Sequence, residues 1–273
     1  DVGFYRHYVD PMKPFAAAIR PHAAGMAVTS ATLTDKTGEV SKDWNLARAR
    51  TGATYLAEQD GDSLLEFTEK SPFDYPSKTK VIVITDVNKN DLGQVSGAFK
   101  TLFKASGGGA MGIFTAIQRL QAVHNELRDS LEAENIPLYA QHVDPLDPGT
   151  LVDIFREDPR SCLLGTDAMR DGVDVPGDSL KLIVFDRVPW PRPTILHKAR
   201  RNAFGGRGYD EMITRLKLKQ AYGRLIRRES DRGIFVMLDS GLPSRLLSAF
   251  PENVEVIKTG LADGKAIISE FLT

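Results

Sequence analysis

The chain has 273 residues, of which 42% are hydrophobic and 26% are charged, and its formal net charge is −1. This composition is typical of a globular protein with one large core or two smaller ones, and it excludes binding to nucleic acid through a uniformly basic surface. A single cysteine, Cys162, excludes a disulfide framework or a four-cysteine metal site, and we expect it to be a buried small hydrophobe.

The apolar runs of the sequence are all short. None is long enough to span a bilayer and no signal peptide is present, so we expect no membrane partner and a cytoplasmic location. The chain begins at Asp1 and not at Met, so we expect it to be part of a longer protein.

Seven apolar runs predict β-strands, at residues 26–30, 80–85, 111–115, 136–140, 161–165, 182–185 and 233–238. Helical periodicity is found at residues 91–105, 116–135, 148–156, 194–203 and 209–228. Apolar strands that alternate with helices predict an α/β fold with a doubly wound, mostly parallel sheet that helices cover on both faces. Because ligands of such sheets bind beyond the carboxyl ends of the strands, we expect chemistry at Thr115, at Thr166 and Asp167, and at Asp186 and Arg187.

Two stretches are less regular. Residues 36–79 are predicted to be an irregular excursion before the main sheet, and the three glycines at 107–109 are predicted to form a flexible loop. No Gly-x-x-x-x-Gly-Lys-Ser/Thr motif occurs anywhere, so the chain has no phosphate-binding P-loop of its own.

The predicted helix at 209–228 carries an unusual polar stripe. At about 100° per residue, Gln220, Arg224 and Arg227 fall on one face, and Gly223 leaves a gap beside them. Guanidiniums without an acid in the stripe suit a multiply charged anion such as a phosphate. A solvated basic face is the alternative interpretation of this helix taken alone.

Four segments, in this order and spacing, resemble motifs of the superfamily 2 helicases of the DinG/XPD type. They are residues 28–33 with Ser-Ala-Thr, 111–117, 164–177 continued by 182–190, and 220–227 (Gln-Ala-Tyr-Gly-Arg-Leu-Ile-Arg) followed by 231–239. The resemblance implies a RecA-like domain with the P-loop NTPase type of fold. It also implies that residues 36–273 are the second motor domain, and that residues 1–35 lead into it from a first motor domain of the same polypeptide.

The resemblance also implies roles in ATP hydrolysis. Arg224 and Arg227 would meet the β- and γ-phosphates, one of them as an arginine finger, and Gln220 would sense the γ-phosphate or its attacking water. ATP and Mg²⁺ would be shared with the first motor domain. The residues implied in ATP binding or coupling are Gly223, Asp171, Gly172, Asp174, Ser30, Ala31 and Thr32. The chain departs from the family at 169–171, where Met-Arg-Asp replaces Phe-Trp-Glu. With one cysteine, this chain is expected to hold neither an iron–sulfur cluster nor another metal.

Contacts with DNA are expected from hydroxyls at strand ends and from a local basic cluster. The expected residues are Thr115, Thr166, Arg187, Lys198, Arg200 and Arg201. For Thr115 a helix N-cap is the alternative, and for the basic cluster it is a solvated face. Trp190 is expected in the core, with stacking on a base as the alternative.

The favoured function is the C-terminal motor half of an ATP-dependent helicase, and the resemblance implies that it moves 5′→3′ on single-stranded DNA and unwinds duplexes in replication or repair. The expected partner is single-stranded or forked DNA. The fragment alone is expected to be inactive. The alternatives are a non-catalytic RecA-like module that binds nucleic acid or a partner, and the motor half of a DinG-like exonuclease.

Overall fold

The computed structural model describes residues 6–35, 37–57, 64–170 and 175–272. The chain divides into two compact units. The first comprises residues 1–71 and 190–216, and the second comprises residues 72–189 and 217–273. Residues 36–71 therefore group with the N-terminal segment, whereas all strands of the sheet belong to the second unit.

The second unit is built on a seven-stranded parallel sheet with the strand order β3-β4-β2-β5-β6-β1-β7. The strands are β1 (Thr79–Ile84), β2 (Ala110–Phe114), β3 (Leu138–Ala140), β4 (Cys162–Thr166), β5 (Leu182–Phe185), β6 (Gly233–Met237) and β7 (Glu255–Thr259). The predicted doubly wound α/β fold is thereby confirmed.

The helices are α1 (Met12–Ile19), α2 (Val40–Thr51), α3 (Ala53–Ala57), α4 (Tyr75–Lys78), α5 (Leu92–Ser106), α6 (Ile117–Glu132), α7 (Pro148–Glu157), α8 (Asp167–Arg170), α9 (Ile195–Ala203), α10 (Arg207–Tyr222) and α11 (Leu261–Leu272).

Two strand predictions differ from the structure. Residues 26–30 form no strand and are exposed, because no neighbouring strand takes up their main-chain groups. β7 was not predicted, since it lies at the edge of the sheet and its side chains are only partly buried. Its Glu255 and Lys258 interrupt the apolar pattern by which the inner strands were recognised.

The core of the second unit occupies both faces of the sheet. Successive residues of β1 alternate between them, with Val81 and Val83 in one apolar cluster and Ile82 and Ile84 in the other. This alternation follows from the two-residue period of a strand. Because both faces are buried, the inner strands consist of nearly continuous apolar residues.

The helices begin and end at recognisable signals. Asp91 accepts a hydrogen bond from Gln94 N at the start of α5, and Asp147 accepts from Gly149 N and Thr150 N at the start of α7. The glycines at 107–109 form a closely packed turn and not the predicted flexible loop. At Gly108, with φ +95°, an added Cβ would lie 2.2 Å from the carbonyl oxygen of Arg160.

The first unit contains α1, α2, α3, α9 and the first ten residues of α10. Its most buried ion pair joins Arg215 of α10 to Asp35, through bonds of 2.9 and 2.6 Å. The side chains are 11% and 7% exposed. This bidentate pair fixes the end of the Ser-Ala-Thr segment against α10 within the first unit. Among the described residues, no helix is both long and apolar enough to cross a membrane.

Candidate functional site

The segment with the Gln-Ala-Tyr-Gly-Arg sequence is only partly helical. α10 ends at Tyr222, and Arg224 N donates to the carbonyl of Ala221 at 3.1 Å in a tighter turn. The prediction of a helix to residue 228 is therefore wrong, and so is the shared helical face of Gln220, Arg224 and Arg227. Gln220 alone of the three lies on α10.

Gly223 disfavours continuation of the helix because of its backbone freedom. Beyond it, Leu225 and Ile226 are both buried in the core. Tyr222 is anchored as well: its buried hydroxyl donates to Thr79, whose hydroxyl donates to the carbonyl of Tyr75. Burial raises the pKa of the Tyr222 phenol, which therefore stays protonated.

The turn that follows α10 is organised by Asp231. One oxygen of this buried carboxylate accepts hydrogen bonds from Arg227 N at 2.8 Å and Arg228 N at 2.7 Å. The backbone is thereby fixed at Arg227, whose side chain is exposed, while that of Arg224 is half-buried. Asp231 was not singled out from the sequence, although an acidic residue four positions after Arg227 and just before a strand is a local signal for such a turn.

Thr115 is connected to β5 through a buried acid. Asp186 is fully buried and accepts from Thr115 N at 3.2 Å and from Arg119 Nε at 2.8 Å. Burial raises the pKa of Asp186, and the hydrogen bond and charge of Arg119 oppose that shift. The N-cap alternative for Thr115 is wrong, since the cap position of α6 is Ala116.

Thr166 has an equally specific partner. Its main-chain NH and its hydroxyl both donate to Gln141 Oε1, at 3.0 and 2.9 Å, and the residue is 9% exposed. A contact between this hydroxyl and DNA therefore requires the threonine to leave Gln141. The next residue, Asp167, is ion-paired with Lys217 of α10. Gln141, which follows β3, carried no motif by which the sequence would identify it.

Arg187 lies beside the loop that follows β1. Its NH2 group donates to the carbonyl of Lys89 at 3.0 Å and to Asn90 Oδ1 at 2.9 Å. Lys89 Nζ is 2.7 Å from Asp239 Oδ1, so the loops after β1, β5 and β6 are joined. Together with Asp186, these contacts connect the carboxyl ends of four strands at the edge where a parallel sheet binds its ligands.

The basic cluster at residues 192–201 lies in the first unit. Lys198 is exposed on α9. Arg200 Nε donates to the carbonyl of Val9 at 3.1 Å, and Arg201 Nε is 2.8 Å from Asp210 Oδ2. Trp190 is 40% exposed, so its expected place in the core is wrong.

The remaining predicted residues fall into two groups. Ser30, Ala31 and Thr32 form a turn in which Thr32 N donates to Ser30 Oγ at 3.1 Å. The positions predicted on the fifth motif, Asp171, Gly172 and Asp174, lie outside the described residues.

Within the part of the chain that the structure describes, no group of three or more His, Cys, Asp or Glu side chains is placed to hold a metal ion. Cys162 is buried, and burial raises the pKa of its thiol, as expected of a core residue and not of a reactive cysteine.

Comparison with known proteins places this site in context. Residues 99–256 match a family described as helicase C-terminal domain. The ATP-dependent helicase DinG of Mycobacterium tuberculosis is 36% identical over 156 residues, which cover 55% of this chain and 23% of that protein. The 3′-5′ exonuclease DinG of Bacillus subtilis is 30% identical over 186 residues, covering 62% of this chain and 20% of that protein.

Similarity extends to solved structures. S. tokodaii Xpd4 aligns with a TM-score of 0.51 at 11% sequence identity, over 77% of this chain and 47% of that one. This likeness concerns the fold alone. The chain spans less than a quarter of the length of the two curated relatives.

Proposed function

Because the chain belongs to the family of helicase C-terminal domains of the DinG/XPD type, we propose that it is the second motor domain of a longer ATP-dependent DNA helicase. Residues 1–35 lead in from the first motor domain, and residues 36–273 form the second. The longer protein uses ATP hydrolysis to move 5′→3′ along single-stranded DNA and to unwind duplexes, in replication or repair.

The turn after α10 is the observation that carries this proposal. It holds Arg227 exposed on a backbone fixed by Asp231, within the segment that matches the family. An arginine supplied from a second domain stabilises the charge that spreads over the γ-phosphate in the transition state of phosphoryl transfer. Arg227 has this role in the proposal, Arg224 binds the neighbouring phosphate, and Gln220 orients the attacking water.

ATP and Mg²⁺ are bound jointly with the first motor domain, which contributes the P-loop. The ion neutralises phosphate charge when bound. This chain contributes guanidiniums and an amide from Gln220, which suit phosphate oxygens and not the metal. Ser30, Ala31 and Thr32, with Gly223 and the acids and glycine at 171, 172 and 174, couple nucleotide state to domain movement.

Single-stranded DNA is held by its phosphates at the carboxyl edge of the sheet. Arg187, Thr115 and Thr166 contribute there. Lys198, Arg200 and Arg201, which belong to the first unit, are further DNA contacts in the proposal. The DNA contacts are sequence-independent, because phosphates carry no base identity. Thr166 contacts DNA only after it exchanges Gln141 for a phosphate.

The test compares two adjacent arginines. Arg227 and Arg228 are both exposed, and both donate their main-chain NH to Asp231, so both Arg227→Ala and Arg228→Ala keep the main-chain hydrogen bonds of the turn. In the longer helicase, Arg227→Ala is expected to lower DNA-stimulated ATP hydrolysis by about 10³-fold, and Arg228→Ala by no more than a few-fold.

The isolated chain supplies the second arm of the test. It is expected to hydrolyse ATP no faster than a blank, because it has no P-loop. Steady turnover by the isolated chain that Arg227→Ala abolishes contradicts the proposal, as do equal effects of the two alanine variants. A non-catalytic module that binds nucleic acid or a partner is the candidate that remains if neither substitution affects hydrolysis.

A nuclease is the second candidate, favoured by the name of the Bacillus subtilis relative. In that case this chain is the motor half of an exonuclease whose cleavage site lies in another domain. Degradation of 5′-labelled single-stranded DNA by the longer protein, lost on removal of a domain other than this one, distinguishes it from a helicase without nuclease activity.

A further inference from the structure

The loop between β1 and α5 is held from two sides by arginines. The carbonyl oxygen of Lys89 accepts hydrogen bonds from Arg119 NH2 and from Arg187 NH2, both at 3.0 Å. Arg119 is itself fixed by Asp186. A carbonyl has two lone pairs, and here one guanidinium from α6 and one from the end of β5 use both. The position of the Lys89 backbone is therefore determined by the core of the sheet, although it lies in a loop.

Charges around this loop are layered. Asp186 and Asp239 lie beneath, with side chains 0% and 6% exposed. Arg119 is 18% exposed and the Lys89 side chain 40% exposed. The ammonium of Lys89 and the guanidinium of Arg119 therefore lie nearer to solvent than the two carboxylates that they pair with.

The ion pair of Lys89 can be exchanged without leaving its partner unbonded. Asp239 also accepts from Gly241 N at 3.0 Å and from Val188 N at 3.3 Å. Its carboxylate therefore keeps two main-chain donors when the ammonium turns away. Because Asp239 is buried, loss of the ammonium has a cost, which these two main-chain donors reduce, and a phosphate oxygen replaces the carboxylate as the partner of the ammonium.

Acidic residues of the same loop have other partners. Asp86 accepts from Leu261 N at 2.9 Å and Asp91 accepts from Gln94 N at 3.1 Å. Both carboxylates thus bind the first turn of a helix, where the helix dipole stabilises a negative charge. Lys89 is the exposed cation of a loop whose acids are engaged in this way.

We propose that Lys89 is a contact for the sugar–phosphate backbone of single-stranded DNA at the carboxyl edge of the sheet, with Arg119 and Arg187 as the residues that position its loop. The inference rests on the DNA binding proposed above. On binding, the ammonium exchanges the Asp239 oxygen for a phosphate oxygen. Lysine contacts phosphate as a mobile point charge, so the contact is independent of base sequence.

The experiment measures binding of a fluorescent dT20 oligonucleotide to the chain by anisotropy, between 50 and 300 mM salt. One lost contact with single-stranded DNA is expected to reduce the slope of log K against log salt by about 0.7, which corresponds to about eightfold weaker binding at 50 mM. Lys89→Met retains most of the aliphatic part of the side chain, so the loss of dT20 affinity in this variant measures the contribution of the positive charge. Lys89→Arg is expected to restore most of the affinity.

Lys104→Met is the matched control. Lys104 is also ion-paired, to Glu134 at 2.6 Å, but it lies in the last turn of α5 near the amino end of β2. The variant Lys104→Met is expected to bind dT20 with an affinity within about twofold of that of the unaltered chain. Thermal unfolding of each variant establishes that the domain is intact, and Lys89→Gln replaces Lys89→Met if the latter unfolds.

The results of this experiment distinguish the role of Lys89 from the binding of DNA by the chain. If the unaltered chain binds dT20 but Lys89→Met binds equally well, or no worse than Lys104→Met, the role of Lys89 is overturned and DNA binding stands. If the unaltered chain does not bind dT20, both are overturned. A fluorescent ADP analogue serves as the second probe: weaker nucleotide binding by Lys89→Met with unchanged dT20 binding assigns the phosphate to nucleotide and overturns the proposal.

Discussion

The buried pair of Asp186 and Arg119 permits a sharp test of how the sheet edge is held together. Arg119→Met removes the cation and keeps much of the side-chain volume. Asp186 is then left fully buried with only the Thr115 NH as a partner among those described above. Loss of one partner of a buried ion pair costs about 3–5 kcal/mol. Arg119 is 18% exposed and the hydrogen bond from Thr115 N to Asp186 remains. We therefore expect Arg119→Met to lower the free energy of unfolding by about 3 kcal/mol at pH 7.

The loss of unfolding free energy in Arg119→Met is expected to depend on pH. Burial raises the pKa of Asp186 in the folded chain, and Arg119 opposes that shift. A carboxyl with a raised folded pKa supports folding fully below its unfolded value, about 3.9, and this support is lost as pH rises through the folded pKa. Without Arg119 the folded pKa rises further. The deficit of Arg119→Met is therefore largest at pH 7–8 and shrinks as pH is lowered towards 5.

Urea denaturation of the chain at several pH values between 5 and 8 measures this difference in unfolding free energy. The control is Arg128→Met on the same helix, where Arg128 and Glu132 are both more than half exposed; no measurable change is expected. The double variant Arg119→Met with Asp186→Asn is expected to recover most of the loss, since it removes the buried charge. Equal costs at Arg119 and Arg128, or a deficit that does not vary with pH, refute the reasoning.

Two further predictions concern packing. Tyr222→Phe removes the hydroxyl that donates to Thr79 and is expected to lower the free energy of unfolding by about 1 kcal/mol, measured in urea. Gly108→Ala places a Cβ 2.2 Å from the Arg160 carbonyl oxygen at positive φ, and a loss above about 2 kcal/mol is expected. Gly97→Ala is its control: its Cβ meets nothing within 4 Å inside α5, so a gain of about 0.5–1 kcal/mol is expected, and a loss there as large as at Gly108 contradicts the steric explanation.

The apolar pattern of the sequence predicts the inner strands of the sheet and the helices that cover them. β1, β2, β5 and β6 are apolar along their length because helices cover both faces of the sheet. Their positions, and those of α5, α6 and α7, were predicted to within a few residues. β7 was missed because an edge strand is only half buried, and its partly charged sequence resembles that of a loop.

The end of α10 shows where local pattern misleads. The polar residues Gln220, Arg224 and Arg227 have helical spacing, yet the helix ends at Tyr222. Gly223 follows Tyr222 and disfavours helix, and the tighter turn beyond it leads Leu225 and Ile226 into the core. The sequence therefore indicates which residue types a site here would have, but it does not predict the backbone that presents them.

Sequence alone determined the strand-and-helix alternation, the motif residues and the absence of a P-loop, because each depends on residue types within a short stretch. Only the tertiary structure decided that Asp186 bonds Arg119, 67 residues away, and that Lys89 meets Asp239, 150 residues away. These contacts follow from the strand order, which sets β5 beside β2 and β6 beside β1. Burial produces a periodic pattern of apolar residues in the sequence, whereas an ion pair between two residues that are distant in sequence produces no such pattern.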